Sequence, residues 1–595
     1  MTRSDIPAPE CLRVVTEWLQ NLEAAMDTED LNRLADLFMP NADWRDLVSF
    51  TWDVRTTLGG REAAAGLIAR NRDVKAHAFT PVHGRTPPRV VVRADDDVVE
   101  GLFTFETAFG HGTGVLRLDL GAGLPLRART LLTTLQDLTG FEERRGANRP
   151  HGTAYSRTFG GKNWLDLRQE EQRYDDRSPE VLIVGAGQAG LSIAARLRTI
   201  GVDALIVDKH ERVGDVWRKR YHSLTLHNES WVASLPYLPY PDTWPTYIPK
   251  DKLANWFEHY ADIMELNVWT ATEFAGGTYD EGEQTWTVTV RRDGAERILR
   301  PRHVVIATGG VSGVPNRPRL PGLENFRGDV LHSTQYTSGT QFQNRKALVI
   351  GTGTSGHDVA QDLHALGSDV VIVQRQPTTV VSLEPSGIMV YALYSEGTPT
   401  EDVDLIAAAN SFPTLIKANQ ILAQRMLEAD KEILDRLHAV GFRTDIGEDG
   451  TGFHLKYNRR GGGYYINVGC SELIADGEIG LLQADQIASF TPQGIELVDG
   501  TVQEYDLVVL ATGYRNQQEE VRLFFGDAVA EKVGPIWGVD DGGEMRNMWR
   551  PTAQRGLWFN AGSLAACRGY SKYLAVQIKA ALQNTSPGYQ ARPHA

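Results

Sequence analysis

Val181-Leu-Ile-Val184-Gly185-Ala-Gly187-Gln188-Ala-Gly190 decides how this chain folds. Four apolar residues run straight into a glycine, as a strand buried on both faces of a parallel sheet does. Beyond the glycines, Leu191, Ile193, Ala194, Leu197 and Ile200 recur on one face of a helix. Strand, glycine turn and helix make a pyrophosphate site. The first glycine turns tightly, the second admits backbone N–H groups to the phosphates, and the helix start adds the positive end of its dipole. A lone GxGxxG is a weak signal, but the whole pattern recurs 166 residues later. Ala347-Leu-Val-Ile350 leads into Gly351-Thr-Gly353-Thr354-Ser355-Gly356, and Val359, Ala360, Leu363 and Leu366 follow at helical spacing. The spacing predicts two dinucleotide sites on one chain.

The second strand of each unit separates the two sites. Ala204-Leu-Ile-Val207 ends at Asp208-Lys209, and Asp208 lies 23 residues past Gly185, where a carboxylate accepts hydrogen bonds from ribose hydroxyls. Val370-Val-Ile-Val373 ends at Gln374-Arg375, and Arg375 lies 24 residues past Gly351. A guanidinium there suits the 2′-phosphate of NADP, which it grips bidentately. FAD on the first loop and NADPH on the second is the expected pairing. The fold class expected is α/β, with two Rossmann-like dinucleotide-binding domains.

Between the loops stands Phe326-Arg-Gly328-Asp-Val-Leu-His332-Ser-Thr-Gln-Tyr336. It matches at all four fixed positions the FxGxxxHxxxY signature of class B flavin-dependent monooxygenases of the flavin-containing monooxygenase type, which the chain resembles over residues 179 to 585. Val213-Gly-Asp-Val-Trp217-Arg-Lys-Arg220-Tyr221 resembles that family's GGxWxxRY stretch, with Asp215 in place of the second glycine. Ala307-Thr-Gly309 and Ala511-Thr-Gly-Tyr514 resemble the two ATG strands on which such enzymes cross between domains. The resemblance implies Gly185, Gly187, Gln188, Gly190, Asp208 and Lys209 around FAD, with Trp217 packed on the flavin. It implies Gly351, Gly353, Thr354, Ser355, Gly356 and Arg375 around NADPH. His332 would order the joint between domains. Asn228, in Leu224-Thr-Leu-His227-Asn228, would take the catalytic position that bonds flavin and nicotinamide, with His227 left open by one residue of register. Asn560-Ala-Gly562-Ser-Leu-Ala resembles the turn and helix start that approach the flavin pyrimidine, where N–H groups favour the reduced ring.

By the same resemblance the partners are dioxygen and a small organic substrate. A flavin C4a-(hydro)peroxide would oxygenate a soft nitrogen or sulfur. Baeyer–Villiger oxidation or oxidative decarboxylation of a carbonyl substrate, indole-3-pyruvate included, and uncoupled NADPH oxidation stay open. Tyr336-Thr337 stands where the Baeyer–Villiger signature has tryptophan followed by proline or aspartate, which weakens the ketone reading.

Residues 1–140 read differently. Two amphipathic helices are expected over residues 9 to 38 and a third from Arg61 to Arg70. Alternating strands follow at Arg89 to Arg93, Val98 to Thr107, Thr113 to Leu120 and Leu126 to Leu138. That order suggests an α+β cone, and Leu37-Phe-Met-Pro-Asn-Ala-Asp43-Trp44-Arg45-Asp46 resembles the NTF2-like or SnoaL-like family. Trp44, Asp46 and Trp52 are candidate pocket-lining residues, but no acid–base pair is evident. A structural, gating or homodimer-forming module is therefore expected. Residues 141–178 read as a charged linker with a few anchors such as Trp164. The FAD-binding domain is expected over 179–335 and 511–595, and the NADPH-binding domain over 336–510. Residues 385–475 exceed what that domain needs. They hold an expected helix, Leu415 to His438, and a flexible, glycine-rich tract, Gly450 to Gly463, ending in Tyr464-Tyr465, and read either as a cap over the active site or as a solvated decoration.

Composition excludes several classes. A net charge of −15 argues against nucleic acid or an anionic membrane as partner. No run of 18 apolar residues occurs, and the N-terminus lacks the order of a signal peptide, so a cytoplasmic protein without a membrane span is expected. Cys11, Cys470 and Cys567 form no CxxC, which removes both a redox dithiol and a thiolate metal cluster.

Overall fold

The computed structural model describes residues 6–121, 125–151, 159–309 and 313–585; residues 152–158 of the expected linker and 586–595 of the expected last domain lie outside the described residues. Val181–Val184 is the middle of a five-stranded parallel sheet, flanked by Ala204–Val207 and His303–Ile306, with Asn267–Trp269 and Leu557–Phe559 at its edges. Every residue of the three inner strands is buried, which is why they read as unbroken apolar runs. Helices Gln188–Thr199 and Leu564–Gln583 cover one face, packing Leu191, Leu197, Leu574 and Ile578 together. An antiparallel meander, Thr272–Asp280, Thr285–Arg292 and Ala295–Leu299, covers the other with Phe274, Trp286 and Val288. Each fully buried side chain of this size stabilises by about 1.5–3 kcal/mol.

The second sheet is also parallel, in the order Asp329–His332, Leu507–Leu510, Lys346–Ile350, Asp369–Gln374, Gly480–Gln483. The FxGxxxHxxxY residues close its first edge. Phe326 packs edge-on against Phe490, and a Cβ at Gly328 would lie 2.5 Å from the Asp506 carbonyl. His332, fully buried, meets the Gly513 carbonyl at 3.1 Å through Nε2, and the Tyr336 hydroxyl donates to Asp362 at 2.5 Å. The signature thus ties the strand after the first domain to the crossover at Ala511–Tyr514 and to the helix after the second glycine loop.

Two expectations in the 385–475 insertion need correction. The single helix is two, Phe412–Ala429 and Lys431–Ala439, broken at Asp430, whose buried carboxylate accepts from the Ser382 amide at 2.9 Å. The glycine-rich tract contains a helix, Gly452–Arg460, because Phe453, Leu455 and Lys456 turn inward while its glycines sit at the ends. The linker also carries a helix, Trp164–Arg173, started by a capping box between Asn163 and Asp166. Trp164 is half exposed but its indole donates to Glu265 at 2.8 Å, and Tyr174 adds a buried anchor, edge-on against Trp269 with its hydroxyl 2.6 Å from Asp203.

At the N-terminus, helices Ala8–Asp27, Leu31–Ala35 and Gly60–Val74 pack inside a curved seven-stranded sheet. The expected second helix stops at Ala35, and Phe38–Leu47 is a central strand. Phe50, Phe79, Phe103 and Phe105 pack inside the cone, Phe79 and Phe105 stacking at 5.0 Å, and Trp44 and Asp46 are buried. The Trp44 indole donates to Thr133 at 2.9 Å, and Trp52 lies edge-on to Phe109. Asp46 is fully buried and accepts from the Phe50 and Thr51 amides and from the Ser49, Thr51 and Thr133 hydroxyls. It closes the Ser49–Thr51 turn.

The outer face of the cone docks on the rest of the chain. Leu102, Val115, Leu132 and Leu135 meet Leu405, Ile406, Tyr573 and Val576 from helices Thr400–Ala408 and Leu564–Gln583. Buried charges frame this apolar patch: Arg45 with Glu544, Asp402 with Arg85 and Thr86, and Arg117 with the Ile406 carbonyl and Asn410. Replacing Asp46 by Ala strands several buried donors at once and is expected to lower stability by about 2–4 kcal/mol, whereas Asp46→Asn loses less. Thermal unfolding of the two variants checks this, and equal stability of Asp46→Ala and wild type would restore a functional role to the carboxylate.

Candidate active site

Each glycine loop brings a helix start close against its own strand. A Cβ on Gly190 would lie 1.8 Å from the Gly185 carbonyl, and one on Gly356 would lie 2.0 Å from the Gly351 carbonyl, so neither position accepts a side chain. In front of the middle glycines there is room instead: at Gly187 a Cβ would meet only Val216, at 3.6 Å, and at Gly353 only the Tyr464 carbonyl, at 3.8 Å. Neither helix start carries a side-chain cap. Free amides, open space and a dipole end fit a pyrophosphate at both loops.

Around the first loop, the Asp208 carboxylate accepts from the Ala186 amide at 2.7 Å and the His210 amide at 2.8 Å, which fixes it at the strand end with lone pairs left over. Lys209 beside it is exposed. Gln188 bridges the mouth of the loop, its amide bonding the Trp217 indole at 3.3 Å and the Gly562 carbonyl at 3.3 Å. Asp215, the departure from the family stretch, is buried against Arg218 at the start of a short helix. Tyr221 then reaches across to the second unit and donates to Asp358.

Around the second loop, Thr354 sits 3.4 Å from the Tyr464 carbonyl, and Ser355 is half-buried in the first helical turn. Gln374 is fully buried and bonds both the amide and the carbonyl of Arg443 at 2.8 Å, leaving Arg375 exposed at the strand end. Sequence reasoning missed that Arg443 of the insertion is held beside this strand end.

It also missed the roof of the cleft. Asn228, on strand Thr225–Glu229, shares a hydrogen bond with the Tyr391 hydroxyl, whereas His227 is kept neutral by burial. Tyr391 lies edge-on to His454 at 6.5 Å, and Phe453 beside it meets Tyr464 at 5.7 Å. Tyr457 receives a hydrogen bond from the Ser563 amide and faces Trp537 at 5.3 Å. Burial raises the pKa of Tyr391, Tyr457 and Tyr464 and pushes His454 down to about 4, so the roof is uncharged near neutral pH. The pair Tyr464-Tyr465 was visible in the sequence, but nothing local marked Tyr391 or His454.

With this geometry in place, comparison with known proteins identifies the class. The sequence profile described as pyridine nucleotide-disulphide oxidoreductase matches residues 182–389. Over 353 residues the chain is 31% identical to the indole-3-pyruvate monooxygenase YUCCA1 of Oryza sativa subsp. japonica, covering 59% of this chain and 80% of that one. It is 32% identical over 342 residues to a probable indole-3-pyruvate monooxygenase, YUCCA3 of Arabidopsis thaliana, covering 56% and 73%. In fold it superposes on an open crystal structure of cyclohexanone monooxygenase with a TM-score of 0.51 at 18% identity, covering 69% of this chain and 88% of that one. The chain belongs to the class B flavin-dependent monooxygenases and uses FAD and NADPH. All three cysteines are free and buried, so the dithiol in the profile's name has no counterpart here. Among the described residues no helix is long and apolar enough to cross a membrane, and no cluster of metal-ligating side chains occurs.

Asp358 gives the cleft a measurable pH signature. Burial holds its carboxyl at about 6, against the pull of the Tyr221 hydroxyl and of Arg220. The folded state therefore binds this proton more tightly than the unfolded chain does. The stabilisation is complete below the ordinary carboxylate range and is lost as pH rises through about 6. Asp358→Asn has no such proton to lose, so its stability relative to wild type should grow between pH ~4 and ~7 by about 1–3 kcal/mol, read from denaturant unfolding across that range. A difference independent of pH would show that the carboxyl titrates normally.

Proposed function

We propose that the chain oxygenates a soft nitrogen or sulfur in a small, apolar, uncharged or cationic substrate held beneath the Tyr391–His454–Tyr457–Tyr464 roof. The observation that carries this reading is the charge of the roof. Its own groups are neutral, the nearby Lys456 is paired with Asp445, and the charge acting on Tyr391 is that of Glu229, whose pKa is raised by burial and by Glu384. A substrate carboxylate entering here meets repulsion, and an amine meets attraction.

FAD on the first loop and NADPH on the second supply hydride transfer and the activation of dioxygen. The chain's residues orient and shield. Gln188 and Trp217 close the mouth of the first loop, and Asn228, held by Tyr391, presents its carboxamide to the cleft. Gly562 and the helix start behind it would face the pyrimidine end. Tyr391, Tyr457 and Tyr464 exclude water, which keeps a reactive oxygen species from being lost as hydrogen peroxide. Arg375 takes the 2′-phosphate of NADPH, with Arg443 beside it.

A second reading, oxidative decarboxylation of a 2-oxo acid, is favoured by the names of the relatives in Oryza sativa and Arabidopsis thaliana. The resemblance of residues 1–140 to NTF2-like cones is supported by their order of helices and strands. We read them as a packing module and not as a dimer-forming or catalytic unit, because rings fill the cone and the chain's own helices cover its outer sheet face. The domain limits 179–335, 336–510 and 511–595 follow the two sheets and their crossovers.

Product analysis with NADPH and a panel of an aromatic tertiary amine, a thioether, cyclohexanone and indole-3-pyruvate tests this. N-oxide or sulfoxide formed in proportion to NADPH is expected; turnover of indole-3-pyruvate alone would establish the second reading, and peroxide with every substrate would establish an oxidase. Asn228→Ala should shift NADPH equivalents to peroxide by about tenfold. In Arg375→Ala the NADPH/NADH ratio of kcat/KM should fall by about tenfold or more, and an unchanged ratio would sink the assignment of that arginine.

A further inference from the structure

Arg45 belongs to the N-terminal module, yet its side chain ends inside the flavoprotein body. Its guanidinium makes a bidentate pair with Glu544, at 2.6 and 2.9 Å, which balances its charge. The remaining Nη1 donors go elsewhere, to the Ala408 carbonyl at 2.7 Å and to the Tyr570 hydroxyl at 3.0 Å. One side chain thereby fixes the insertion, the 535–554 segment and the C-terminal helix to one another.

Tyr570 leads towards the flavin loops. Its ring stacks on Trp549, with centroids 4.4 Å apart and planes 15° from parallel. The Trp549 indole donates to Asn560 at 2.7 Å, and the Asn560 amide donates to the Ala189 carbonyl, in the helix that opens at the first glycine loop, at 2.8 Å. Trp549 and Trp537 also press on the Gly562 turn. A Cβ at Gly562 would lie 3.4 Å from Trp537 and 3.6 Å from Trp549, and φ there is +115°, outside the range of ordinary side chains. The two indoles, with Ala566, therefore line the turn at contact distance.

We propose that Arg45 is a positioning residue of the flavin site, acting from the N-terminal module through Tyr570 and Trp549 on the Gly562 turn and the first glycine loop. A lysine cannot replace it, because three partners in a plane need the forked donors of a guanidinium. Another buried charge at the same boundary, Asp402 with Arg85 and Thr86, holds the start of the helix that ends at Ala408, and its bonds do not reach Tyr570, Trp549 or Asn560. That pair provides the control.

The test compares Arg45→Ala, Arg45→Lys, Tyr570→Phe and Arg85→Ala in the full chain. Amide hydrogen exchange of peptides covering 559–568 is read with FAD removed and with FAD bound, together with the visible circular dichroism of the bound flavin and the FAD dissociation constant. Arg45→Ala and Arg45→Lys should speed exchange in these peptides, alter the flavin dichroism and weaken FAD by about tenfold. Tyr570→Phe, which removes a hydroxyl and keeps the stack, should do the same to a smaller extent and covers the case in which Arg45→Ala does not fold. Arg85→Ala should lower the melting temperature with all three flavin-site readouts unchanged. The proposal is overturned if Arg45→Lys and Tyr570→Phe leave exchange and dichroism at wild-type values, or if Arg85→Ala moves them equally. Because exchange is measured without FAD, a chain that bound no flavin would refute the cofactor assignment, while its exchange rates would still decide whether Arg45 holds the Gly562 turn.

Discussion

Two helices start almost in contact with the strands that precede them, and the rest of the molecule is arranged around that closeness. Gly190 and Gly356 leave no room for a side chain against the Gly185 and Gly351 carbonyls, so each helix N-terminus is held at the end of its sheet with its amides unpaired by any side chain. Unpaired amides at a helix start favour an anion, and two such starts must share a cleft if a hydride is to pass between the ligands they hold. The contacts that fix their relation are few and specific. Tyr221 reaches from the first unit to Asp358 on the second helix, Tyr336 to Asp362, and His332 to the crossover at Gly513. The family signature is thus chiefly a folding device. Its chemistry is indirect, through the relative placement of two loops.

A cleft that must exclude water also needs a cover, and here the cover comes from far away in the chain. Residues 387–467 bring Tyr391 against Asn228 with His454 edge-on to it, and the N-terminal cone clamps that insertion from outside. The clamp uses buried charge where apolar packing alone would have held. A buried ion pair adds little net stability over well-packed apolar groups, but removing one partner costs about 3–5 kcal/mol. Its consequence is orientation: an apolar patch tolerates sliding, whereas Arg45 on Glu544, with Thr56 also donating to that carboxylate at 2.7 Å, accepts one docking position.

This division explains what the sequence disclosed. The glycine loops, their strand ends and the FxGxxxHxxxY residues are local patterns, in which the chemistry is carried by residues a few positions apart. The strands Arg89–Arg93 and Asp96–Glu106 were legible for the same reason, since alternation is a local property. The contacts that close the site are not local. Arg45 and Glu544 are 499 residues apart, and Asp46 resembles a pocket acid until the Ser49–Thr51 turn and Thr133 are seen folded around it. The helix Gly452–Arg460 was hidden because its flanking glycines suggest a loop; only the burial of Phe453 and Leu455 against the insertion core explains why it is helical. Trp164 does tie the linker to Glu265, but through its indole N–H and not by burial, whereas the buried anchor, Tyr174, depends on a distant partner in Trp269.

The roof and the kinship then pull in different directions on substrate. Kinship with indole-3-pyruvate monooxygenases spans little more than half of the chain, 59% and 56% for the two relatives. Specificity resides in the groups that meet the substrate, and on shared folds these vary while the cofactor loops stay put. On the proposed reading those groups come from the insertion and offer hydroxyls and a neutral imidazole, with Glu229 of strand Thr225–Glu229 acting on Tyr391. An aromatic ring fits among them, but a carboxylate would need a cation to offset its desolvation, and the charges acting on Tyr391 come from an acidic residue. The flat aromatic body of a substrate is therefore compatible with both readings, and the sign of its charge separates them.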